Sequence, residues 1–420
     1  MVAKKSLLRA EEVPQFLLRN YGIEVDGVVE IDRGILSKTY KVTSENEQYF
    51  LKEPLNTISG EGVEREAYLL EHLSKKQIPV AEFVHTLEGK HFVDHGENLV
   101  FLQKYIEGDK YKIYHAPDEL YLPSMEFLGK FNASLVDYEL SLRRKWSREY
   151  CATYDEQKVI KRLKKYSKHV KKLNLETGEV KRALGTIRYV KQIQPLMKEY
   201  GSYFEYISYG NSHGDYHVEN LIYQDAEIAA VVDCASSSVR PIVFNLMRFY
   251  LRFDRDCRGA THVNLSKLAK GVQAYTTHSP LTYYDYRFMP YVYLHIVGRI
   301  ILPFKIKKYV AHNRIGDSDS AYSKLGGILW LIKMHRYVMN NAESISKYLV
   351  KQYEKTLSGE QLKQHKQLKR QFEKQDDMKR LREQEKAIAS RRIVRNLLPA
   401  PVKKFIKKVL PERLRKTLMS

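Results

Sequence analysis

Cysteine is scarce in this chain, with only Cys151, Cys234 and Cys257 among 420 residues. Their spacing fits neither a disulfide framework nor a zinc site, so we expect a reducing, cytoplasmic environment. Long apolar runs are also lacking. The most apolar segment, 288–304, is interrupted by Arg299 and falls short of the roughly 18 apolar residues of a membrane span. Because acidic residues interrupt the first apolar stretch, we expect no secretory signal peptide.

Positive charge is distributed unevenly. The formal net charge is +21, and residues 351–420 hold 21 Lys and Arg against 8 Asp and Glu, a net +13. Residues 351–392 contain few large apolar side chains, which is typical of a solvated helix or a flexible extension. The basicity of this region suggests an anionic partner surface, either lipid or nucleic acid.

The last part of the chain, residues 393–418, has an amphipathic pattern. Lysines fill one face, and apolar residues recur at helical spacing on the other: Val402, Phe405, Ile406, Val409 and Leu410. This pattern is typical of a helix that lies on an anionic membrane, but a helix packed on the protein body shows it too. Nucleic acid is an unlikely partner, because Phe405 is the only aromatic residue past Phe372 and bases would have nothing to stack on.

The predicted elements change in character along the chain. Residues 27–52 alternate apolar and polar side chains as strands do, residues 62–73 carry a helical apolar stripe, and two further strands fit residues 91–106. From about residue 120 the pattern is helical, apart from a strand-like island at 221–233. We therefore predict an α+β protein with a small β-rich N-lobe over 1–108, a helical C-lobe over 109–350 and a basic helical extension over 351–420.

The strongest motif is the segment His213–Asn220, which is followed by an apolar strand that ends at Asp233. Phosphoryl transfer needs a carboxylate beside the attacking hydroxyl, and oxygen ligands that hold magnesium against the nucleotide phosphates. Asn220 follows Asp215 by five residues, so a tight loop can aim both side chains at one point, and Asp233 supplies a second hard oxygen ligand. His213 and His217 have the spacing of a helical zinc pair. However, the glycine and aspartate between them suit a loop better, and no third ligand is evident nearby.

This segment resembles the HGDxHxxN loop of aminoglycoside phosphotransferases, choline kinases and related proteins, including spore-coat kinase-like proteins. Residues 231–249 resemble the next segment of that family. The resemblance implies a protein-kinase-like two-lobed fold with Asp215 as catalytic base. It also implies that Asn220 and Asp233 bind magnesium and that the two histidines support the loop.

One position departs from the family pattern. Asn245 stands where the family usually has an acid. Because that acid is mainly structural in the family, we expect altered loop support and retained chemistry.

The N-terminal half carries further parts of the resemblance. Residues 33–42 resemble the nucleotide-covering loop, with Gly34 and Ser37 in place of three glycines. Lys52 ends an apolar strand, where the family has its phosphate-binding lysine. Glu66 on the next helix would be its partner, although Glu64 is close enough to be an alternative.

The segment 102–108 resembles the hinge whose backbone contacts adenine, which makes Gln103 and Tyr105 candidate nucleotide contacts. ATP and Mg²⁺ are the cofactors that the resemblance implies.

The resemblance predicts ATP-dependent transfer of the γ-phosphate to a hydroxyl of a small molecule: a sugar, an amino sugar or an amino alcohol. A cell-envelope precursor with a phosphate or carboxylate group is a further option, because the helix at 158–172 is basic. Two alternatives remain: a catalytically inactive kinase-like structural or coat-associated protein, and a nucleic-acid binder that uses the basic tail. The expected location is the cytoplasm, and the tail is a candidate for attaching the enzyme to the inner face of the membrane.

Overall fold

The computed structural model describes residues 6–31, 37–45, 47–55, 58–316 and 323–374. A β-rich N-terminal part precedes a helical part, which confirms the predicted α+β, two-lobed architecture. The amphipathic segment 393–418 lies outside the described residues.

The N-lobe is built on five strands: β1 (Gly27–Glu30), β2 (Ser37–Ser44), β3 (Glu47–Pro54), β4 (Val93–His95) and β5 (Asn98–Lys104). They form one antiparallel sheet in the order β1-β2-β3-β5-β4. Strand β3 lies at the centre of this sheet. There Lys52 stands opposite Thr39 of β2 on one side and opposite Phe101 of β5 on the other.

Two helices cover the two faces of this sheet: α1 (Val13–Tyr21) and α2 (Gly60–Lys75). Helix α1 was not predicted; it packs with Val100 and Leu102 of β5. Helix α2 packs with Phe101 instead, and successive strand residues point to opposite faces. The stripe predicted for α2 is buried, which fixes the orientation of the remaining side chains of this helix.

The C-lobe contains ten helices in the part of the chain that the structure describes: α3 (Tyr121–Ser134), α4 (Arg148–Ala152), α5 (Glu156–Val170), α6 (Thr177–Gly201), α7 (Ile242–Phe253), α8 (Leu265–Thr276), α9 (Tyr283–Ile296), α10 (Leu302–Arg314), α11 (Gly326–Glu354) and α12 (Gly359–Lys374). Helix α9 is buried along its whole length and packs against α6, α7 and α11. This explains the apolar composition that stands out in the sequence at 288–304.

The arginine that interrupts this apolar segment is buried and has partners. Arg299 lies in a π-helical turn, Val297–Ile301, between α9 and α10. Its guanidinium lies 4.4 Å from the ring centres of Tyr150 and Tyr154, and it donates to the Tyr150 carbonyl oxygen at 3.0 Å. The charge is therefore stabilised inside a globular core. Among the helices described here, none is both long and apolar enough to cross a membrane.

Four short strands lie in the C-lobe: β6 (Tyr209–Ser212), β7 (Leu221–Gln224), β8 (Glu227–Val231) and β9 (Ser238–Pro241). The β7–β8 hairpin matches the predicted strand-like island. It turns at Asp225 and Ala226, whose φ values of 50° and 64° suit a tight hairpin. The pairing of β6 with β9 was not predicted.

Two segments from the N-terminal side are hydrogen-bonded to this hairpin. Asp109 and Tyr223 exchange backbone hydrogen bonds of 2.7 and 3.0 Å, and the Val231 N–H donates to the Pro79 carbonyl oxygen at 3.0 Å. Gly108 is required at this junction, because a Cβ there would lie 2.5 Å from the Tyr223 carbonyl oxygen. The hairpin is thus attached to both the end of the hinge segment and the loop after α2.

The start of the basic extension is a docked helix. His365 of α12 is buried against Tyr283 and Tyr353, and both His365 and Lys369 contact the Glu354 carboxylate, at 3.1 and 2.8 Å. Residues 351–374 are therefore helical, apart from a short break, and are attached to the C-lobe. The rest of the predicted extension, residues 375–420, lies outside the described residues.

Candidate active site

A cleft of about 900 Å³ lies between the N-lobe sheet and the β7–β8 hairpin. Many of the residues singled out in the sequence line it: Ser37, Lys52, Gln103, Tyr105, Asp215, His217, Asn220 and Asp233. His213 and Glu66 lie behind its wall, where both are buried. Gly34 lies outside the described residues.

His213 anchors the loop that carries Asp215. Its Nε2 donates to the carbonyl oxygen of Val232 at 2.9 Å, so Nδ1 is the acceptor for the Asp215 N–H at 3.3 Å. Burial lowers the pKa of His213, which keeps the ring neutral in this bridging role. Since both ring nitrogens of His213 already have hydrogen-bond partners, the zinc-pair interpretation does not fit the structure.

Gly214 and Arg240 hold this loop against the turn after Asp233. Arg240 donates to the carbonyl oxygens of Gly214 and Ser236 at 2.9 and 2.8 Å. Gly214 has a φ of 82°, and a Cβ there would lie 2.3 Å from the Ser236 carbonyl oxygen. A glycine is therefore needed between His213 and Asp215 for both conformational and steric reasons.

The Asp215 side chain points into the cleft and lies between two neighbours, Arg248 and His217. Its Oδ1 accepts from Arg248 Nη2 at 2.5 Å, and its Oδ2 lies 3.5 Å from His217 Nε2. Burial alone would raise the pKa of Asp215, but the hydrogen bond from His217 and the charge of Arg248 outweigh it and hold the pKa well below its usual range. Asp215 is therefore ionised at neutral pH.

Asn220 and Asp233 offer oxygen atoms to the same cleft. The side-chain amide of Asn220 donates to the Asp215 carbonyl oxygen at 3.0 Å, which leaves its Oδ1 as the atom available to a cation. Asp233 is exposed to the cleft and has left-handed backbone angles, with φ 63° and ψ 53°. A non-glycine residue in this region is uncommon and is often found at functional sites.

Lys52 lines the cleft, and Glu66 is buried close enough to it for the two charges to interact. Burial raises the pKa of Glu66 to about 7; the charge of Lys52 and the backbone N–H groups of Ala235 and Cys234 act in the opposite direction. Within the described part of the chain, no ion pair of 4.0 Å or less joins Lys52 to Glu66. The expected close pair is thus replaced by a longer-range interaction that also involves the turn after Asp233.

The alternative partner, Glu64, has a different role. Its Oε2 lies 2.5 Å from Nδ1 of the buried His91, whose Nε2 in turn lies 3.1 Å from Glu71. Residues that are two positions apart in a helix, such as Glu64 and Glu66, point to different faces. Glu64 therefore belongs to this histidine cluster and does not face Lys52.

The segment 102–108, which resembles a hinge, lines the cleft together with the 213–220 loop. Gln103 donates its side-chain amide to the Ala81 carbonyl oxygen at 3.0 Å, and the Tyr105 N–H donates to the Gln48 carbonyl oxygen at 2.9 Å. The Tyr105 backbone donor is thus already used. Ile106, which also lines the cleft, has no hydrogen bond from its N–H to any described residue, so it is the better backbone donor for a base.

Asn245 supports the strand that leads into the catalytic loop. It is buried on α7, and its side-chain amide donates to Ser212 Oγ at 2.5 Å, directly before His213. This bond connects the helix to the loop without a charge. The structure thus places Asn245 in a supporting position, as its place in the sequence suggested.

Three cationic residues of the site were not singled out in the sequence. Arg248 of α7 contacts the Asp215 carboxylate, and Arg252 of α7 and Lys305 of α10 lie close enough to interact electrostatically with it. The only available signal was the four-residue spacing of the two arginines, which places them on one face of a helix.

Comparisons with known proteins identify the family of this chain. The sequence profile described as the phosphotransferase enzyme family (APH) matches residues 27–266, more than half of the chain, so the chain belongs to this family. Among curated proteins, none matches the sequence significantly.

Several solved structures share the fold. An aminoglycoside phosphotransferase from Alicyclobacillus acidocaldarius is 14% identical with a TM-score of 0.56, over 82% of this chain and 98% of that chain. Spectinomycin phosphotransferase APH(9)-Ia, in complex with ADP and spectinomycin, is 15% identical with a TM-score of 0.52, over 83% of this chain and 100% of that chain. At this identity the likeness concerns the fold.

Proposed function

We propose that this protein is an ATP- and Mg²⁺-dependent kinase that transfers the γ-phosphate of ATP to a hydroxyl group of a small molecule. The observation that carries the proposal is the convergence of Lys52, Asp215, Asn220 and Asp233 on one cleft. These residues come from the central strand of the sheet, the catalytic loop and the end of the hairpin. Catalysis of phosphoryl transfer rests mainly on such positioning and on electrostatic stabilisation.

Asp215 orients the attacking hydroxyl and accepts its proton. Its low pKa means that the carboxylate is charged before the acceptor binds. The transition state of phosphoryl transfer is loose, so a proton acceptor at the hydroxyl is needed late and a strong base is not required. His217 keeps the carboxylate oriented through its contact with Oδ2.

Lys52 binds the phosphates of the nucleotide from the sheet side. Glu66 restricts the mobility of the residues around Lys52, because it connects α2 both to Lys52 and to the turn after Asp233. The base lies between the sheet and the hinge, where Phe50, Ala81 and Ile222 provide apolar walls. The ADP in the complex of spectinomycin phosphotransferase supports an adenine nucleotide in this cleft.

The residues present fit a magnesium ion. Asn220 Oδ1 and the Asp233 carboxylate are hard oxygen ligands, and Mg²⁺ is usually held by one or two carboxylates together with substrate phosphates. When bound, the ion neutralises the phosphate charge that develops during transfer. The Asn220 amide bond to the Asp215 backbone would keep the ligand and the proton acceptor in a fixed relation.

The test is a panel of hydroxylated metabolites with ATP consumption as the readout. Asp215→Asn should reduce turnover about 100- to 10,000-fold, because general-base assistance is typically of that size, while nucleotide affinity should stay the same. Asp225→Asn, in the exposed hairpin turn, is the matched control and should retain full activity. Failure of the wild-type protein to bind any nucleotide would refute the proposal in favour of a catalytically inactive relative.

A further inference from the structure

We propose that Arg248, Arg252 and Lys305 form an anion site for the acceptor, and that the acceptor carries a phosphate monoester next to the hydroxyl that is phosphorylated. This inference rests on the proposed function, since it concerns the acceptor side of the same active site. It narrows the substrate class from hydroxylated small molecules in general to phosphorylated sugars or alcohols.

Two helices, α7 and α10, supply the three cations. Arg248 and Arg252 are separated by one turn of α7, and Arg248 contacts Asp215 directly at 2.5 Å. Lys305 lies in the first turn of α10, close enough for its ammonium group to sense the charges of Arg252, Arg248 and Asp215. All three side chains are partly buried, and the Arg248 side chain is only 19% exposed.

These positive charges have little compensation from the protein. Among the described residues, Asp215 is the only carboxylate within 4.0 Å of any of the three, and it pairs with Arg248 alone. Like charges one turn apart on a helix repel each other, and partly buried charges without a partner are costly. Burial and the neighbouring arginine lower the pKa of both Arg252 and Lys305, which is the signature of cations that lack an anion.

The net charge of this group matches a dianion. Arg248, Arg252 and Lys305 carry three positive charges, and Asp215 is the carboxylate in contact with them among the described residues. The three cations and this one carboxylate therefore sum to +2. A phosphate monoester carries about −1.5 to −2 at neutral pH, whereas a carboxylate carries a single charge. The charge balance thus favours a phosphorylated acceptor.

The contact between Arg248 and Asp215 connects anion binding with catalysis. In the structure, Arg248 donates to Oδ1 of Asp215, one of the two oxygens of the carboxylate that is proposed to accept the hydroxyl proton. A phosphate bound at the cluster would compete for the Arg248 donor and weaken its bond to Asp215. Asp215 would then become a better acceptor for the hydroxyl proton only when the correct substrate is present.

The first experiment measures binding of inorganic phosphate to the full chain by calorimetry, without nucleotide. Arg252→Gln and Lys305→Gln should each weaken phosphate binding about tenfold or more, because a hydrogen bond to a charged group is typically of that size. Lys307→Gln, exposed on the same helix α10, is the matched control and should bind phosphate as the wild type does. If Lys52→Gln abolishes binding and Arg252→Gln does not, phosphate occupies the nucleotide site and the inference is wrong.

A stability measurement separates binding from folding. Arg252 is a charge with little compensation from the protein. In phosphate-free buffer, the Arg252→Gln variant should therefore melt at the same temperature as the wild type or higher. Added phosphate should no longer stabilise this variant. A lower melting temperature with unchanged stabilisation by phosphate would show a purely structural role and overturn the inference.

The second experiment compares phosphorylated, carboxylated and uncharged forms of one polyol as acceptors: glycerol 3-phosphate, glycerate and glycerol. The phosphorylated form should bind at least tenfold more tightly than the other two, and Arg252→Gln should remove this preference. Equal binding of the three would overturn the inference and leave the proposed kinase activity intact. If the wild type prefers the phosphorylated acceptor but binds no nucleotide, the kinase proposal is refuted instead.

Discussion

Glu66 makes the stability of the N-lobe dependent on pH in an unusual direction. Its side chain is 8% exposed, and burial raises its pKa from 4.5 to about 7. The folded protein therefore binds a proton at this site more tightly than the unfolded chain. Stability from this site is fully present below about pH 4.5 and falls as the pH rises toward 7, because the unfolded carboxyl ionises first.

The size of the effect follows from the two pKa values. Linkage between about pH 5 and pH 8 gives a loss of roughly 2–3 kcal/mol in the free energy of unfolding for the wild type. Glu66→Gln removes the titration and keeps the shape of the side chain. Over the same pH interval, the variant should therefore gain about 2–3 kcal/mol relative to the wild type, whatever its stability at about pH 5.

Urea unfolding at several pH values, in magnesium-free buffer with a chelator, measures this difference. Titrations elsewhere in the protein cancel when the two proteins are compared. Glu61→Gln, an exposed change in the first turn of the same helix, is the control and should give a curve parallel to that of the wild type. If the Glu66→Gln curve is also parallel, the carboxyl is ionised normally in the folded state and the reasoning about its burial is refuted.

Three further changes test other parts of the structure. Asp233→Asn should weaken magnesium-dependent nucleotide binding more than Asn220→Ala, since it removes a full charge beside the ion; equal magnesium dependence in the two variants, measured by titration, would contradict this. Gly214→Ala should lower the free energy of unfolding by about 1–3 kcal/mol in urea melts, because its φ is 82° and the new Cβ would meet the Ser236 carbonyl oxygen. Removal of residues 393–420 should abolish binding to anionic vesicles in a co-sedimentation assay at low salt, and equal binding by both proteins would disprove the membrane role of the tail.

The catalytic loop could be predicted from the sequence because its residues act over short distances along the chain. His213, Asp215 and Asn220 lie within eight residues, and Asp233 follows after one hairpin. Turns and short strands are determined mainly by residues that are close in the sequence. Residue types and spacing were therefore enough to predict that these side chains converge. The strand and helix order of the N-lobe was also predictable, because its apolar patterns are regular.

The acceptor side of the cleft could not be predicted in the same way. Arg248 is 33 residues from Asp215 in the sequence, and only the packing of α7 beside the catalytic loop brings them together. Lys305 arrives from yet another helix. An exposed arginine and a buried one look the same in a single sequence, since both fit a helix with charged and apolar faces.

Helix α1 and the distinction between Glu64 and Glu66 show the same limit. The α1 segment is short, and its apolar side chains are stabilised mainly by the sheet beneath them. Glu64 and Glu66 are equally good helix residues, and their roles diverge only because α2 buries one face against the sheet and presents another to His91.

The attachment of the β7–β8 hairpin to Asp109 and Pro79 determines how the cleft can open. The segment after β5 and the loop after α2 are both held by backbone hydrogen bonds to the hairpin, so a swing of the sheet would have to pivot between these two attachments and the sheet. Asn220 and Asp233, at the two ends of the hairpin, would remain stationary during such a motion, whereas Ser37 and Lys52 would travel with the sheet. Nucleotide entry would then displace the phosphate-binding lysine while the metal ligands keep their spacing.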